Sequence, residues 1–347
     1  MPRAAVASSR QTTVRRRLST IPGSPQLSCE TTTLCIPAAR EGAAFTFGRR
    51  QEFMPQPESA RSTPQATQEQ ARVCEAAARA GGALLREWVG RFGVSTKGPR
   101  DLVTEADLAS QREIRRITLE AFPDHGFLGE ETLEDAPPAA EAGSPCWIVD
   151  PLDGTTNYVH GLPCYCVSVA LAVDDEILVG AIYDPVSGEC FTAKAGGGAW
   201  LDGRRIRVSD ATEPIESLVA VSIPAQADAQ SLAVADFLAI LNGVHSIRRS
   251  GSSALNLAYL ACGRIDAFWA RRIAAWDIAA GLLLVREAGG VTAPLRRPGE
   301  SPAEAGETIP LDSPAFIAAA SPQLLVAIRD MLSPDPRTVP GPSGRKV

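Results

Sequence analysis

The chain has 347 residues, 45% of them apolar and 21% charged, enough for one large globular domain or two linked ones with a substantial core. A net charge of −6 argues against a nucleic-acid binder, whose surface is usually basic. It leaves an anionic substrate open, because local cations and metals override net charge, and no apolar run of about 18 residues predicts a transmembrane helix.

Residues 1–66 hold Ser, Thr, Pro, Gln and Arg with few acids and no sustained apolar period, a composition that does not build a core. They are expected to form a tail, or to lie upstream of the true start, for which Met54 is a plausible initiator. The Arg- and Ser-rich start also has the look of an organelle transit peptide, but it lacks the apolar stretch of a secretory signal. Folded sequence is expected over residues 67–332, and a Pro-Gly tail over 333–347. Ala71–Val89 has helical apolar spacing. Asp101–Ala106 leads into a second helix, roughly Ala106–Ala121, ended by Pro123. A connection, Asp124–Glu131, and a Pro- and Ala-rich loop, 132–145, precede the short apolar strand Trp147–Asp150. Strands follow at Cys166–Val173 and Ile177–Tyr183, then strand and tight turn over Phe191–Trp200, and another strand at Leu218–Ile223. Helices are predicted at Ala254–Cys262 and Ala275–Ala288, a late strand at Ala315–Ala320 and a closing helix at Pro322–Met331. Elements alternating in blocks imply a layered α/β fold with sheets between helices. The eight cysteines contain no C-x-x-C pair and read as free thiols of a reducing compartment, which points to the cytoplasm.

Acids stand at turns or element ends in several segments: Asp107, Glu130, Asp150, Asp153 and Asp277. Each follows or sits inside an apolar stretch, which carries a carboxylate toward the interior, where an isolated charge is expensive. Lys and Arg are scarce in these segments, so divalent cations are the natural partners, and carboxylates with a backbone carbonyl suit a hard ion such as magnesium. In Asp150-Pro-Leu-Asp153-Gly-Thr, a Pro-Leu turn can aim both carboxylates and the Leu152 carbonyl at one point. Gly154 lets backbone amides approach an anion, and Thr155 and Thr156 add hydroxyls and amides. Taken alone, Asp-Pro-x-Asp-Gly is equally a plain turn sequence. It is not an EF-hand loop, whose twelfth residue is a glutamate; Gly161 stands near where that residue would close the run.

Three motifs in order resemble the inositol monophosphatase family of magnesium-dependent, lithium-sensitive phosphatases. They are Asp101-Leu-Val-Thr-Glu-Ala-Asp107 with Gly129-Glu130-Glu131, then Trp147-Ile-Val-Asp150-Pro-Leu-Asp153-Gly-Thr-Thr-Asn157-Tyr-Val-His160, and Trp276-Asp277 running into Glu287-Ala-Gly-Gly290. Arg249-Ser-Gly251-Ser-Ser253 and Asp202-Gly203 also fit family segments, and the resemblance covers about residues 68–332. It implies an αβαβα sandwich, two or three magnesium ions and a homodimer. Glu130, Asp150 and the Leu152 carbonyl would hold one ion; Asp150, Asp153 and Asp277 a second. Asp107 and Thr155, beside Glu130, would orient the attacking water and take its proton. Gly154, Thr155 and Thr156 would bind the phosphate, with Gly251, Ser252, Ser253 and Asp277 near the rest of the substrate. The pattern assigns no catalytic part to His160, read as a turn or core residue, and Lys97 and Arg100 fall in a loop that is mobile in the family.

One position departs from the family. Members acting on inositol phosphates often carry a polyol-binding glutamate seven residues before the last metal-binding aspartate; here it is Ala270. Arg271 and Arg272 would either replace it, favouring a second anionic group on the substrate, or be surface charges or dimer contacts. The expected substrate is therefore inositol monophosphate or a related polyol phosphate. Histidinol phosphate, fructose 1,6-bisphosphate and a 3′-phosphoadenosine nucleotide are alternatives for the same chemistry. A regulatory homodimer that has kept the fold is the alternative of another class.

Overall fold

A computed structural model describes residues 66–98, 101–131, 142–228, 231–296, 300–312 and 314–332. Both expected tails, Met54, Arg100 and most of the loop 132–145 lie outside the described residues, as do the side chains of Lys97 and Asp101. In chain order the elements begin with α1 (Gln68–Trp88), β1 (Val94–Gly98), β2 (Asp101–Thr104), α2 (Glu105–Ala121), β3 (Gly126–Gly129) and β4 (Pro145–Asp153). They continue through α3 (Thr155–His160), β5 (Cys166–Val173), β6 (Glu176–Tyr183), β7 (Cys190–Lys194), β8 (Gly198–Leu201) and β9 (Arg204–Arg205). The second half holds β10 (Leu218–Ser222), α4 (Leu232–Ile240), β11 (Ser246–Arg248), α5 (Ser253–Ala261) and β12 (Ala267–Ala270). Then come α6 (Ala275–Glu287), β13 (Val291–Pro294), β14 (Phe316–Ala319) and α7 (Pro322–Met331).

A seven-stranded sheet runs β3-β4-β5-β6-β7-β8-β9 and a five-stranded sheet β11-β10-β12-β14-β13, with β1 and β2 forming a separate hairpin. Helices α1 and α2 pack on one face of the large sheet, and α5 and α6 lie between the two sheets. Helices α4 and α7 pack on one another, and α7 also on β13 and β14. The layers are therefore helix, sheet, helix, sheet, helix, as expected.

Side-chain alternation explains the layering. Trp147, Val149, Val167, Val169 and Leu171 join the core under α1 and α2, while Ile148, Cys166, Ala170 and Ala172 join the core under α6. Strands covered on both faces read as continuous apolar runs, which is why β4, β5 and β6 stood out. The central helix pair fits tightly. A Cβ on Gly281 of α6 would lie 2.4 Å from the Leu257 Cβ of α5, so glycine sets that approach. The Asp202-Gly203 turn joins β8 to β9 with both residues at positive φ, 46° and 76°, the backbone of a tight hairpin turn.

The differences from expectation are local. Thr155–His160, to which the sequence assigns no element, forms α3, while the expected connection Asp124–Glu131 contains β3. Elements α4, β11, β12 and β13 had no sequence signal strong enough to name them.

Candidate active site

The site begins at an irregularity in β4. Residues alternate faces along a strand, so Asp150 and Asp153, three apart, would ordinarily point to opposite sides. In the β4–β5 ladder Asp150 lies opposite Ser168 and Asp153 opposite Cys166, so three steps on β4 match two on β5. This β-bulge resets the parity of the strand. Carboxylate oxygens of Asp150, Asp153 and Asp277 consequently lie within 4.8 Å of one another. The bulge is anchored from α2, whose Ser110 hydroxyl donates to the Pro151 carbonyl at 3.0 Å. The Leu152 amide donates to Asp150 Oδ1 at 2.9 Å.

Gly154 follows with φ at +99°, and a Cβ there would lie 2.9 Å from the Cys164 carbonyl oxygen. A side chain at this position is excluded by conformation and by space. Helix α3 starts at Thr155, so its first-turn amides have no preceding helical carbonyl to bond. The Thr155 hydroxyl lies 3.1 Å from the Leu152 carbonyl and 3.3 Å from Asp107 Oδ1. Asp107 is fully buried in the first turn of α2, where its Oδ2 accepts from the amide of Thr104 at 2.9 Å and from the Thr104 hydroxyl. Asn157 ties α3 down, donating to the carbonyls of Cys164 (2.6 Å) and Ser250 (2.9 Å).

The other acids come from separate elements. Asp153 Oδ2 accepts from the Ser252 hydroxyl at 2.6 Å and the Ala254 amide at 2.7 Å, both at the start of α5. Asp277 sits in the first turn of α6, where its Oδ2 accepts from the Ala274 amide at 3.1 Å. Glu130 follows β3, and its amide donates to the Val149 carbonyl at 3.0 Å, beside Asp150. Glu130 stands outside the closest trio but acts on it electrostatically. Burial, then Glu130, Asp153 and Asp277, push the Asp150 carboxyl well above the usual range. Burial and Asp277 push Asp153 up to about 8, against the lowering bonds from Ser252 and Ala254. No cation figures among these causes. A set of buried and half-buried carboxylates that repel one another, with three of them offering oxygens close enough to share an ion, fits a hard divalent cation.

The remaining expected residues divide. Gly251 (φ +89°) packs against the Asn157 amide, with a built Cβ at 2.8 Å, and Ser253 opens α5. Ser252 is 1% exposed, and its hydroxyl both donates to Asp153 and accepts from the Leu255 amide. In this structure its hydroxyl supports Asp153. Thr156 is exposed at the site, and His160 is exposed at the end of α3. Arg271 is neither a surface charge nor a substrate group: its guanidinium pairs with Asp236 of α4 at 2.6 Å, with side chains 10% and 0% exposed. Burial raises Asp236 and Arg271 opposes that shift. Arg272 is exposed. A cleft of about 620 Å³, lined by Val173, Asp174, Asp175, Glu176 and Arg286 among others, lies at the opposite end of β5 from Asp153 and takes no part in this geometry. The residues that sequence reasoning passed over are Ser110 and Asn157; Asn157 stood inside the quoted motif, while Ser110 carried no signal beyond its place on the inner face of α2.

Comparison with known proteins finds one family throughout. The profile described as the inositol monophosphatase family matches residues 66–324. An inositol-1-monophosphatase of Rhizobium meliloti (strain 1021) is 42% identical over 240 residues, 68% of this chain and 89% of that protein. Among solved structures, the extragenic suppressor protein suhB of Bartonella henselae is 36% identical with a TM-score of 0.65, covering 75% of this chain and 97% of that one. The inositol monophosphatase of Anabaena (Nostoc) is 32% identical with a TM-score of 0.63, covering 76% and 94%.

Proposed function

Since the chain belongs to the inositol monophosphatase family, and is by that membership a metal-dependent phosphoric monoester hydrolase, we propose that it uses magnesium to hydrolyse inositol monophosphate or a related polyol phosphate. The observation that carries this reading is the convergence of buried Asp150 and Asp153, turned to one side by the β4 bulge, with half-buried Asp277 of α6. Asp150, Asp153 and Asp277 would hold ions with help from Glu130 and the Leu152 carbonyl. Bound magnesium would supply Lewis-acid polarisation of the phosphate and acidify a nearby water.

The chain's own groups do the rest. The Asp107 Oδ1–Thr155 pair stands beside the bulge, where a hydroxyl can orient a water and a carboxylate can accept its proton. The first-turn amides of α3 and the open backbone at Gly154 offer donors to the phosphate oxygens. No covalent phospho-enzyme is required, and the six described cysteines are free and have no role in this chemistry. The family's homodimer, lithium sensitivity and a cytoplasmic setting belong to the same reading. Among the described residues no helix is long and apolar enough to cross a membrane.

The test is phosphate release with Mg²⁺ from inositol monophosphate, histidinol phosphate, fructose bisphosphate and a phosphoadenosine nucleotide, with Asp150→Asn as control. Wild type is expected to hydrolyse at least the first. The variant should lose about a thousandfold or more in kcat, the scale of removing a principal electrostatic group. Release from none of these compounds would point instead to the regulatory reading.

A further inference from the structure

The loss of the polyol-binding glutamate at Ala270 leaves open what the substrate's remaining part contacts. In register, Ala270 ends β12 opposite Ser222, which ends the parallel neighbour β10, and β11 ends at Arg248 on the other side. Ligands of open α/β sheets bind outside the carboxyl ends of parallel strands. A cleft of about 90 Å³ opens there, lined by Ser222, Arg249, Gly251, Ser252, Ser253 and Asn256 together with Val221. It shares Ser252 with the metal centre, since that hydroxyl donates to Asp153. The cleft thus borders the metal centre through this residue.

Its chemistry is one-sided. Of its lining residues Arg249 alone is charged. The guanidinium bonds to the Ile223 carbonyl at 3.1 Å, and among the described residues it forms no ion pair. An arginine fork carries five donors, so most remain for a ligand. The Asn256 carboxamide oxygen accepts from the Ser250 hydroxyl at 2.8 Å, which leaves its NH₂ as a further donor. The two other arginines near Ala270 offer less: Arg271 is already spent on Asp236, and Arg272 is exposed outside the cleft. The larger cleft beside Arg286 has the opposite character, with Asp174, Asp175, Glu176 and Glu287 on its walls. The cleft has room for a small anionic group such as a carboxylate or a phosphate.

We propose that Arg249 binds a second anionic group of the substrate, so that this enzyme prefers polyol phosphates carrying another phosphate or a carboxylate. The proposal rests on the hydrolytic reading above and narrows it. A guanidinium matches such a group bidentately, and its loss leaves the anion facing neutral donors only.

The experiment measures kcat/KM with Mg²⁺ for inositol monophosphate, inositol bisphosphate and phosphogluconate, in wild type, Arg249→Ala and Arg249→Gln. In wild type at least one of the two doubly anionic esters should exceed the monophosphate. The ratio of that ester to the monophosphate should fall by about tenfold or more in both variants, the scale of one charge-assisted hydrogen-bonded pair. Two variants guard against a folding defect in one, and a ratio is insensitive to the fraction of active enzyme. Phosphate release with an unchanged ratio, or a wild type that favours the monophosphate, overturns the proposal while leaving the hydrolytic reading intact. No release from any ester overturns both.

Discussion

The two sheets serve the site by different means. The seven-stranded sheet gives a local defect: one extra residue in β4 turns Asp150 and Asp153 to the same side. The five-stranded sheet gives a regular edge, where the ends of β10, β11 and β12 leave a cleft next to α5. The first device depends on contiguous residues and tolerates no change of spacing. The second is assembled from segments between Ser222 and Ala270 and can change its lining without disturbing the metal centre. That separation is consistent with an intact set of acids standing beside a departed glutamate at position 270.

The comparison breaks most directly at the bulge. Deleting Leu152 removes the extra residue, restores ordinary alternation and turns Asp153 away from Asp150. Activity should fall to background, a loss of at least about a thousandfold, while far-ultraviolet circular dichroism still reports a folded α/β protein. A deletion variant retaining a tenth of wild-type kcat would show that the bulge is not what assembles the acids.

The next effect is the response of the large sheet's acids to pH and metal. Asp153 titrates at about 8 in the folded chain against an ordinary value of 3.8. Between those values the folded chain holds a proton that the unfolded chain has released, so metal-free stability should fall as pH rises through this window. Mg²⁺ binds the ionised carboxylates and should offset the loss. At a hundred times its dissociation constant a bound ion adds about 2.7 kcal/mol. The Tm difference between Mg²⁺ and EDTA samples should therefore be larger at about pH 8 than at about pH 5. Equal differences would mean that these carboxylates are not the ones coupled to the metal.

The two devices also differ in how far they were legible in sequence. Asp150, Asp153 and Asp277 were found because an apolar run ending in an acid is a contiguous signal. The bulge that makes them converge was not, because parity is decided by pairing with Cys166 and Ser168 on another strand. Helix α4 was invisible for a different reason: Leu232-Ala-Val-Ala-Asp-Phe-Leu-Ala-Ile240 is apolar almost all round and carries no 3.6-residue period. Arg271 was misread because its partner Asp236 lies 35 residues away on that unrecognised helix. Helix α3 went unrecognised because Gly154 and Gly161 bracket only six residues, too few to show a period.

The smallest expected effect falls where the two sheets meet. Ser252 caps α5, lines the cleft and donates to Asp153. Without that hydroxyl Asp153 Oδ2 keeps the Ala254 amide at 2.7 Å and a distant Cys166 thiol at 3.9 Å. The carboxylate is then less fixed and harder to ionise, since the Ser252 bond is the stronger of the two that lower its pKa. Supports of this kind are worth about ten- to a hundredfold in metal affinity. Ser252→Ala should weaken Mg²⁺ binding by that factor in calorimetry and displace its pH dependence upward, whereas Ser252→Thr keeps the donor and most of the affinity. If Ser252 instead served the substrate, the alanine variant would raise KM at saturating Mg²⁺ and leave the Mg²⁺ titration unmoved. The same variant thus decides whether the edge of the second sheet reaches the metal centre through this hydroxyl or only borders it.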